Sequence, residues 1–347
     1  MSIEHLVAPQ PVLRETLAKC AKLNIPAQVT IELTYRCNLK CAHCYVDLEE
    51  NDTLTFDEWK AVLGQLKDAG TIYLLFTGGE VMTHPFFLEL ASYARSSGFF
   101  ISLLTNCTPV TPDIAETIAA LRPLYLGTSL YGATAATHEM ITQVPGSFQK
   151  TIEGMKLLIR YGIVPTVQIT IMGNNVKEVS SMKELVESLG AAMMIDIGIV
   201  PSKSGADFPF QHEADVEDLI CSGWQPETPA ILEDLGPQPC KAGKGICSIS
   251  PNGDVFPCVL FPLKLGNLRQ SNFSSIWRLE PSAELRYLRS MTRHSFHACT
   301  ECEIRDYCQR CTGTVYLESG GFDGPGSSAC RQADVRWRLS EAVEVET

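Results

Sequence analysis

The sequence predicts an α/β fold built on a parallel sheet, with a small cysteine-rich segment toward its C-terminal end. Three observations predict it. Apolar or β-branched runs of strand length alternate with helical patterns through residues 28–200. The composition, 45% hydrophobic in a 347-residue chain, suffices for a large core and excludes a mainly disordered chain. Eight of the 14 cysteines fall within residues 240–331, a stretch rich in glycine and poor in long apolar runs.

The strand candidates are residues 28–34, 72–76, 99–104, 125–130, 166–172 and 193–200. Between the first two, Thr55 followed by Glu58 reads as a capping box. Phe56, Trp59, Val62, Leu63 and Leu66 then form one apolar face that runs to Gly70. Thr83-His84-Pro85 and Thr111-Pro112-Asp113 read as further helix starts, each a cap with proline in the first turn. Helical patterns over 148–161 and 176–189 complete the set. Six such units fit an incomplete barrel or an open doubly wound sheet, and periodicity does not choose between them.

Residues 1–27 precede the first strand as an N-terminal arm. Six prolines between 201 and 239 suit a wrapping linker. Residues 240–331 would struggle to bury a core and are expected to need metal to hold their fold. Residues 332–347 read as a short helix with an acidic end. No apolar run approaches a membrane span. Residues 1–10 carry Glu4 and lack the apolar region of a secretory signal. The net charge of −12 argues against a nucleic-acid or anionic-membrane binder. The expected location is cytoplasmic, where thiols stay reduced and clustered cysteines read as metal ligands.

Directly after the first strand stands Cys37-x3-Cys41-x2-Cys44. In parallel α/β folds reactive loops follow the C-terminal ends of strands. Three soft thiolates on one loop suit an iron–sulfur cluster with one iron left open; a zinc site would recruit His43 as the fourth ligand. Thr77-Gly78-Gly79-Glu80 follows the second strand, where glycines expose backbone and Glu80 offers an acceptor for an ammonium group. Thr105-Asn106 follows the third strand and Thr128-Ser129-Leu130-Tyr131-Gly132 the fourth. Four polar clusters at strand ends point to one ligand lying across the top edge of the sheet.

With these motifs, residues 28–200 resemble the radical S-adenosylmethionine (SAM) superfamily. The resemblance implies a partial (β/α)6 TIM-like barrel. It implies a 4Fe–4S cluster on Cys37, Cys41 and Cys44, with the open iron chelated by SAM. It places Gly78, Gly79 and Glu80 at the methionine amino group, His43 beside the adenine, and Asn106 and Ser129 at the ribose or carboxylate. Gln168 is a further candidate to face the ligand. Many relatives carry an arginine after the fourth strand; residues 138–143 contain none. The implied chemistry is reductive cleavage of SAM to a 5′-deoxyadenosyl radical that abstracts a substrate hydrogen.

The remaining cysteines run Cys240-x6-Cys247-x10-Cys258 and then Cys299-x2-Cys302-x5-Cys308-x2-Cys311-x18-Cys330. Cys-x-x-Cys pairs alone suit two zinc sites. The layout also resembles the C-terminal extension called SPASM, including a hairpin turn at Asn252-Gly253. That resemblance implies one auxiliary 4Fe–4S cluster on Cys240, Cys247, Cys258 and Cys311, and a second on Cys299, Cys302, Cys308 and Cys330. Three clusters are thus expected in all. The gap between Cys308 and Cys311 is one residue shorter than in most relatives.

Relatives with this extension mostly modify peptides or proteins, and residues 130–148 are most similar to the peptide-maturase branch. The resemblance therefore implies a ribosomally made peptide as substrate and a crosslink, epimerisation, excision or decarboxylation as outcome. The 27 residues before the first strand are too few for a fused leader-binding domain. A separate leader-recognition protein or direct binding is implied, with a reductase such as flavodoxin or ferredoxin. The alternatives are a small-molecule substrate such as a tetrapyrrole precursor, and a non-catalytic zinc scaffold. Cys20, Cys107 and Cys221 read as buried apolar fillers. Cys107, beside Thr105-Asn106, is also a candidate to donate a hydrogen atom or to touch substrate.

Overall fold

The computed structural model describes residues 11–47, 53–225 and 240–345. Helix α1 (Pro11–Lys22) leads into β1 (Gln28–Thr34). Then follow α2 (Phe56–Asp68), β2 (Tyr73–Gly78), α3 (Phe87–Ser96), β3 (Phe100–Leu104), α4 (Pro112–Leu121), β4 (Tyr125–Ser129), α5 (Ala135–Thr142), α6 (Ser147–Arg160), β5 (Thr166–Thr170), α7 (Val179–Leu189) and β6 (Ala192–Asp196). Neighbouring strands from β1 to β6 are parallel and lie in sequence order. A doubly wound sheet reverses its order at a switch point. This one does not, so every crossover steps the same way and the sheet curls as a partial TIM-like barrel.

Alternation along β1 divides its two faces. Val29, Ile31 and Leu33 join the helices in one apolar core with Trp59, Leu63, Leu66, Phe87 and Leu90, all at most 1% exposed. Glu32 and Ser102 are equally buried and polar, and they face the inside of the barrel. The capping box of α2 is present: Thr55 N donates to Glu58 Oε2 at 2.7 Å and Glu58 N to Thr55 Oγ1 at 3.3 Å. Thr111 caps α4 with Pro112 at its first position.

Two expectations are corrected. The helix expected from Thr83 begins at Phe87. Thr83 closes a short 3-10 turn instead, its hydroxyl donating to the Glu80 carbonyl at 2.7 Å. Helix α5 was not expected at all, because Ala-Ala-Thr-His-Glu-Met-Ile-Thr carries little apolar periodicity.

Beyond β6, α8 (Val216–Cys221) lies within the proline-rich stretch, whose residues 226–239 fall outside the described residues. Strands β7 (Ile246–Ile249), β8 (Asp254–Phe256) and β9 (Gly266–Asn267) extend the barrel sheet: β7 runs parallel to β1, and the other two add antiparallel. The hairpin turn falls at Asn252-Gly253, where Gly253 has φ +85°. Helices α9 (Ala283–Ser290), α10 (Thr312–Ser319) and α11 (Ser327–Val345) complete the chain. The helix expected to open at 332 is thus the later part of α11. No described helix is long and apolar enough to cross a membrane.

Candidate active site

The parallel strands bring their C-terminal ends to one edge, and the cysteine loop lies across it. Helix α5 holds the loop from outside: Lys40 N donates to Thr142 O at 3.0 Å and Ala42 N to Ile141 O at 2.9 Å. Leu39 anchors it from below at 8% exposure. Cys37 is exposed, and Cys41 and Cys44 are half-buried. The three thiols are electrostatically coupled. Burial, then Cys44 and Cys37, push the Cys41 thiol up to about 12, and burial raises Cys37 and Cys44 as well. Each would bind metal by releasing a proton.

The end of β2 is pressed against the segment just before Cys37. Gly79 N donates to Thr34 O at 2.7 Å and Glu80 N to Arg36 O at 2.9 Å. A Cβ on Gly78, whose φ is +137°, would lie 2.0 Å from Thr34 O, and one on Gly79 2.2 Å from Arg36 O. The glycines are required for this close backbone approach. The Glu80 carboxylate, expected to meet a ligand's ammonium, is 0% exposed. It accepts from Met82 N at 3.0 Å, Thr105 Oγ1 at 2.9 Å and Asn106 N at 2.7 Å. Its side chain therefore ties the ends of β2 and β3 together, and burial raises its pKa. Asn106 carries the tie onward: its Nδ2 donates to Asn38 Oδ1 at 2.8 Å and to Cys37 Sγ at 3.9 Å.

His43 packs edge-on to Tyr131 with ring centroids 4.7 Å apart. Burial lowers its pKa to about 4, so the imidazole is neutral, and its buried Nδ1 has no hydrogen-bond partner. Ser129 bonds the Tyr131 hydroxyl. Gln168 donates to Tyr125 Oη at 2.9 Å, on the fifth strand as expected. Cys107 lies in the core at 0% exposure, with φ +62° and its carbonyl against Gly154 of α6. That position gives it a packing role and does not favour contact with a substrate. Cys221 is exposed and Cys20 half-buried, so neither is the buried filler expected.

Sequence reasoning missed one charged group of the barrel interior. Lys203 Nζ donates to Glu32 Oε1, and its ammonium lies 5.0 Å from the Tyr35 ring centroid. Lys203 N donates to Tyr45 O at 2.8 Å and Ser204 N to Asp47 Oδ1 at 3.1 Å, so this turn straps the far end of the cysteine loop. A lone glutamate on an apolar strand was the available signal, since a buried carboxylate calls for a cation.

The C-terminal thiols form two coupled groups. Cys258 feels Cys311 and Cys240, and is pushed up to about 12 mainly by burial; Cys247, 1% exposed, joins them through Cys258. Cys308 and Cys330 feel each other and both Cys299 and Cys302. Among the described residues no three His, Cys, Asp or Glu side chains already close into a metal cage. The fit rests on donor chemistry: three soft thiols on the first loop and two groups of four in the C-terminal segment. Such a set suits iron–sulfur clusters rather than a hard cation.

The sequence matches the Radical SAM superfamily over residues 31–189 and SPASM, an iron–sulfur cluster-binding domain, over residues 240–303. It is 27% identical over 336 residues to an AdoMet-dependent heme synthase of Methanosarcina barkeri, covering 87% of this chain and 95% of that protein. It is 30% identical over 306 residues to the antilisterial bacteriocin subtilosin biosynthesis protein AlbA of Bacillus subtilis, covering 83% and 67%. The fold is shared with Streptococcus suis SuiB bound to its precursor peptide SuiA: TM-score 0.69 at 16% identity, covering 93% of this chain and 82% of that one. Fold, sulfur-bearing loop and sequence likeness agree, and the chain belongs to the radical SAM superfamily and carries its SPASM domain.

Proposed function

We propose that the chain is a radical SAM peptide maturase acting on a ribosomally made peptide. Cys37, Cys41 and Cys44 hold the SAM-binding 4Fe–4S cluster in this reading. Cys240, Cys247, Cys258 and Cys311 hold one auxiliary cluster, and Cys299, Cys302, Cys308 and Cys330 another. When bound, the first cluster and SAM supply a 5′-deoxyadenosyl radical for hydrogen abstraction. The protein's own contribution is position. Glu80 and Asn106 lock the ends of β2 and β3 to the cysteine loop, α5 clamps it from outside, and neutral His43 offers SAM an apolar ring face. Ser129 and Gln168 are retained as SAM contacts. A leader-recognition protein and a low-potential reductase of the flavodoxin or ferredoxin type are the partners this chemistry needs, in a reducing cytoplasm.

The observation that carries the peptide reading is the 30% identity to a bacteriocin biosynthesis protein over 83% of the chain. The heme-synthase likeness, which spans 95% of that relative, favours a tetrapyrrole substrate as the second reading. Replacing Cys37, Cys41 and Cys44 together with Ala should abolish 5′-deoxyadenosine formation under dithionite while leaving about eight iron per chain. SAM cleavage by that variant overturns the radical site. Co-expression with a short peptide encoded beside this chain should change the peptide's mass. An unchanged peptide together with turnover of a porphyrin substrate establishes the second reading.

A further inference from the structure

Three cations of the C-terminal region, Lys244, Arg289 and Arg310, lie among the cysteines, the first buried and the other two half-buried. Lys244 is 2% exposed, and its ammonium makes one long hydrogen bond, 3.5 Å to Met291 O. Arg289 donates from Nε to Gly243 O at 2.7 Å and from Nη1 to Trp277 O at 2.9 Å, while its buried Nη2 has no partner. Arg310 is gripped by Phe322 O at 2.6 Å and Gly324 O at 2.8 Å, with its guanidinium 3.9 Å from the Phe296 ring centroid. Among the described residues no carboxylate stands within 4.0 Å of any of the three.

A buried cation without a counter-charge is strongly unfavourable. Here buried Lys244 and half-buried Arg289 and Arg310 occur together in a chain of net charge −12, which has carboxylates to spare. The anionic groups they feel are thiols, and the Arg289 guanidinium also lies 4.8 Å from the Trp277 ring centroid. Lys244 stands between Cys240 and Cys247 in the chain and feels the charge of Cys240; Arg289, bonded to Gly243 O of that segment, feels Cys247. Arg310 stands between Cys308 and Cys311 in the chain and is coupled to Cys299 and Cys308 on one side and to Cys311 and Cys240 on the other. Lys244 and Arg289 also repel one another, a cost that an anion between them offsets.

Resting on the two auxiliary clusters of the proposed function, we propose that Lys244, Arg289 and Arg310 form a cation cage. It compensates the charge of the cluster on Cys240, Cys247, Cys258 and Cys311 and holds its reduction potential up; Arg310 is shared with the second cluster. A thiolate-ligated cluster is anionic and gains a further negative charge on reduction. Burial penalises that added charge, and a fixed neighbouring cation offsets the penalty. Removing a cation therefore drives the potential negative. The placement predicts a pattern: Lys244→Met and Arg289→Met move one midpoint, the same one, and Arg310→Gln moves both.

The test is a redox titration followed by electron paramagnetic resonance. It uses the anaerobically reconstituted full-length chain with Cys37, Cys41 and Cys44 changed to Ala, so that only auxiliary clusters remain. Iron near zero in this background overturns the two-cluster reading and the cage with it. About eight iron per chain with midpoints unmoved in all three variants overturns the cage alone. So does a shift of both midpoints by Lys244→Met or Arg289→Met. If Lys244→Met loses about four iron, Lys244→Arg decides. Iron and midpoint restored by the retained charge support the cage, and loss in both variants shows that Lys244 acts by packing.

Discussion

The loop at Cys37 and the turns around Cys299 carry the same chemistry and are held in opposite ways. The first is built on a finished scaffold: β1 beneath it, α5 beside it, and buried Glu80 and Asn106 across it. The second, residues 297–311, contains two 3-10 turns and no strand or α-helix. Its nearest apolar cluster has five buried residues, Ala242, Phe261, Leu288, Met291 and Phe296, and is bordered by Cys240, Cys258 and Cys299 together with Leu263, Tyr316 and Phe322. The first loop is thus shaped by the scaffold around it, whereas three of the six residues bordering the small core of the second region are cysteines. Strands β7 to β9 belong with the barrel: Ile249, Val255, Phe273 and Trp277 lie in its core. The change from one regime to the other comes after about Met291, well inside the segment that composition marks off at 240.

The largest effect expected from this difference follows loss of one C-terminal ligand. Cys302→Ala should remove one auxiliary cluster, about four iron per chain, and expose residues 297–330 to amide exchange. Exchange in β1 to β6 should stay as in the parent. Equal deprotection of the barrel would erase the contrast. Next comes the barrel core. Trp59, 0% exposed on α2, should cost about 3–5 kcal/mol when changed to Ala, read as a lowered denaturant midpoint. Gly79→Ala forces a Cβ to 2.2 Å from Arg36 O and should cost about 1–3 kcal/mol. Because it displaces the segment before Cys37, it should also weaken SAM binding by calorimetry. Unchanged binding would mean that the β2 end does not set the loop.

Much of this was legible in the sequence because it is local. Alternation along Gln28–Thr34 marks a strand, and Thr55 with Glu58 marks a helix start, from neighbours alone. The failures are non-local. Thr83 has every local mark of a cap, but its hydroxyl is taken by the Glu80 carbonyl. Glu80 reads as a ligand-facing acid because nothing nearby in sequence shows that Thr105 and Asn106 supply its donors. The pairing of Gln28 with Ile246 joins segments more than two hundred residues apart, so composition suggested a border where the sheet is continuous. The cations Lys244, Arg289 and Arg310 carry no motif, and their meaning lies in the absence, among the described residues, of carboxylates around them.

The smallest prediction sharpens where that border lies. Arg269, just beyond β9, reaches back to α2: its Nε donates to Glu58 Oε1 at 2.6 Å and its Nη2 to Thr53 O at 2.9 Å. Arg269 first, and then Thr55 N, hold the Glu58 carboxyl down to about 2, below its ordinary 4.5. A lowered folded-state pKa means that the stabilisation is present above about 4.5 and is lost as pH falls from there toward about 2. Both side chains are about one-third exposed, so screening limits the pair to about 0.3–1 kcal/mol, less at high salt. Glu58→Gln keeps the capping-box geometry and removes only the charge. In the cluster-free protein, the difference in unfolding free energy between parent and variant should shrink as pH is lowered through this window. It should also shrink with added salt at neutral pH. A difference that ignores both pH and salt would mean that Arg269 is not docked on α2 without the clusters, and that the metal-dependent region begins before β9.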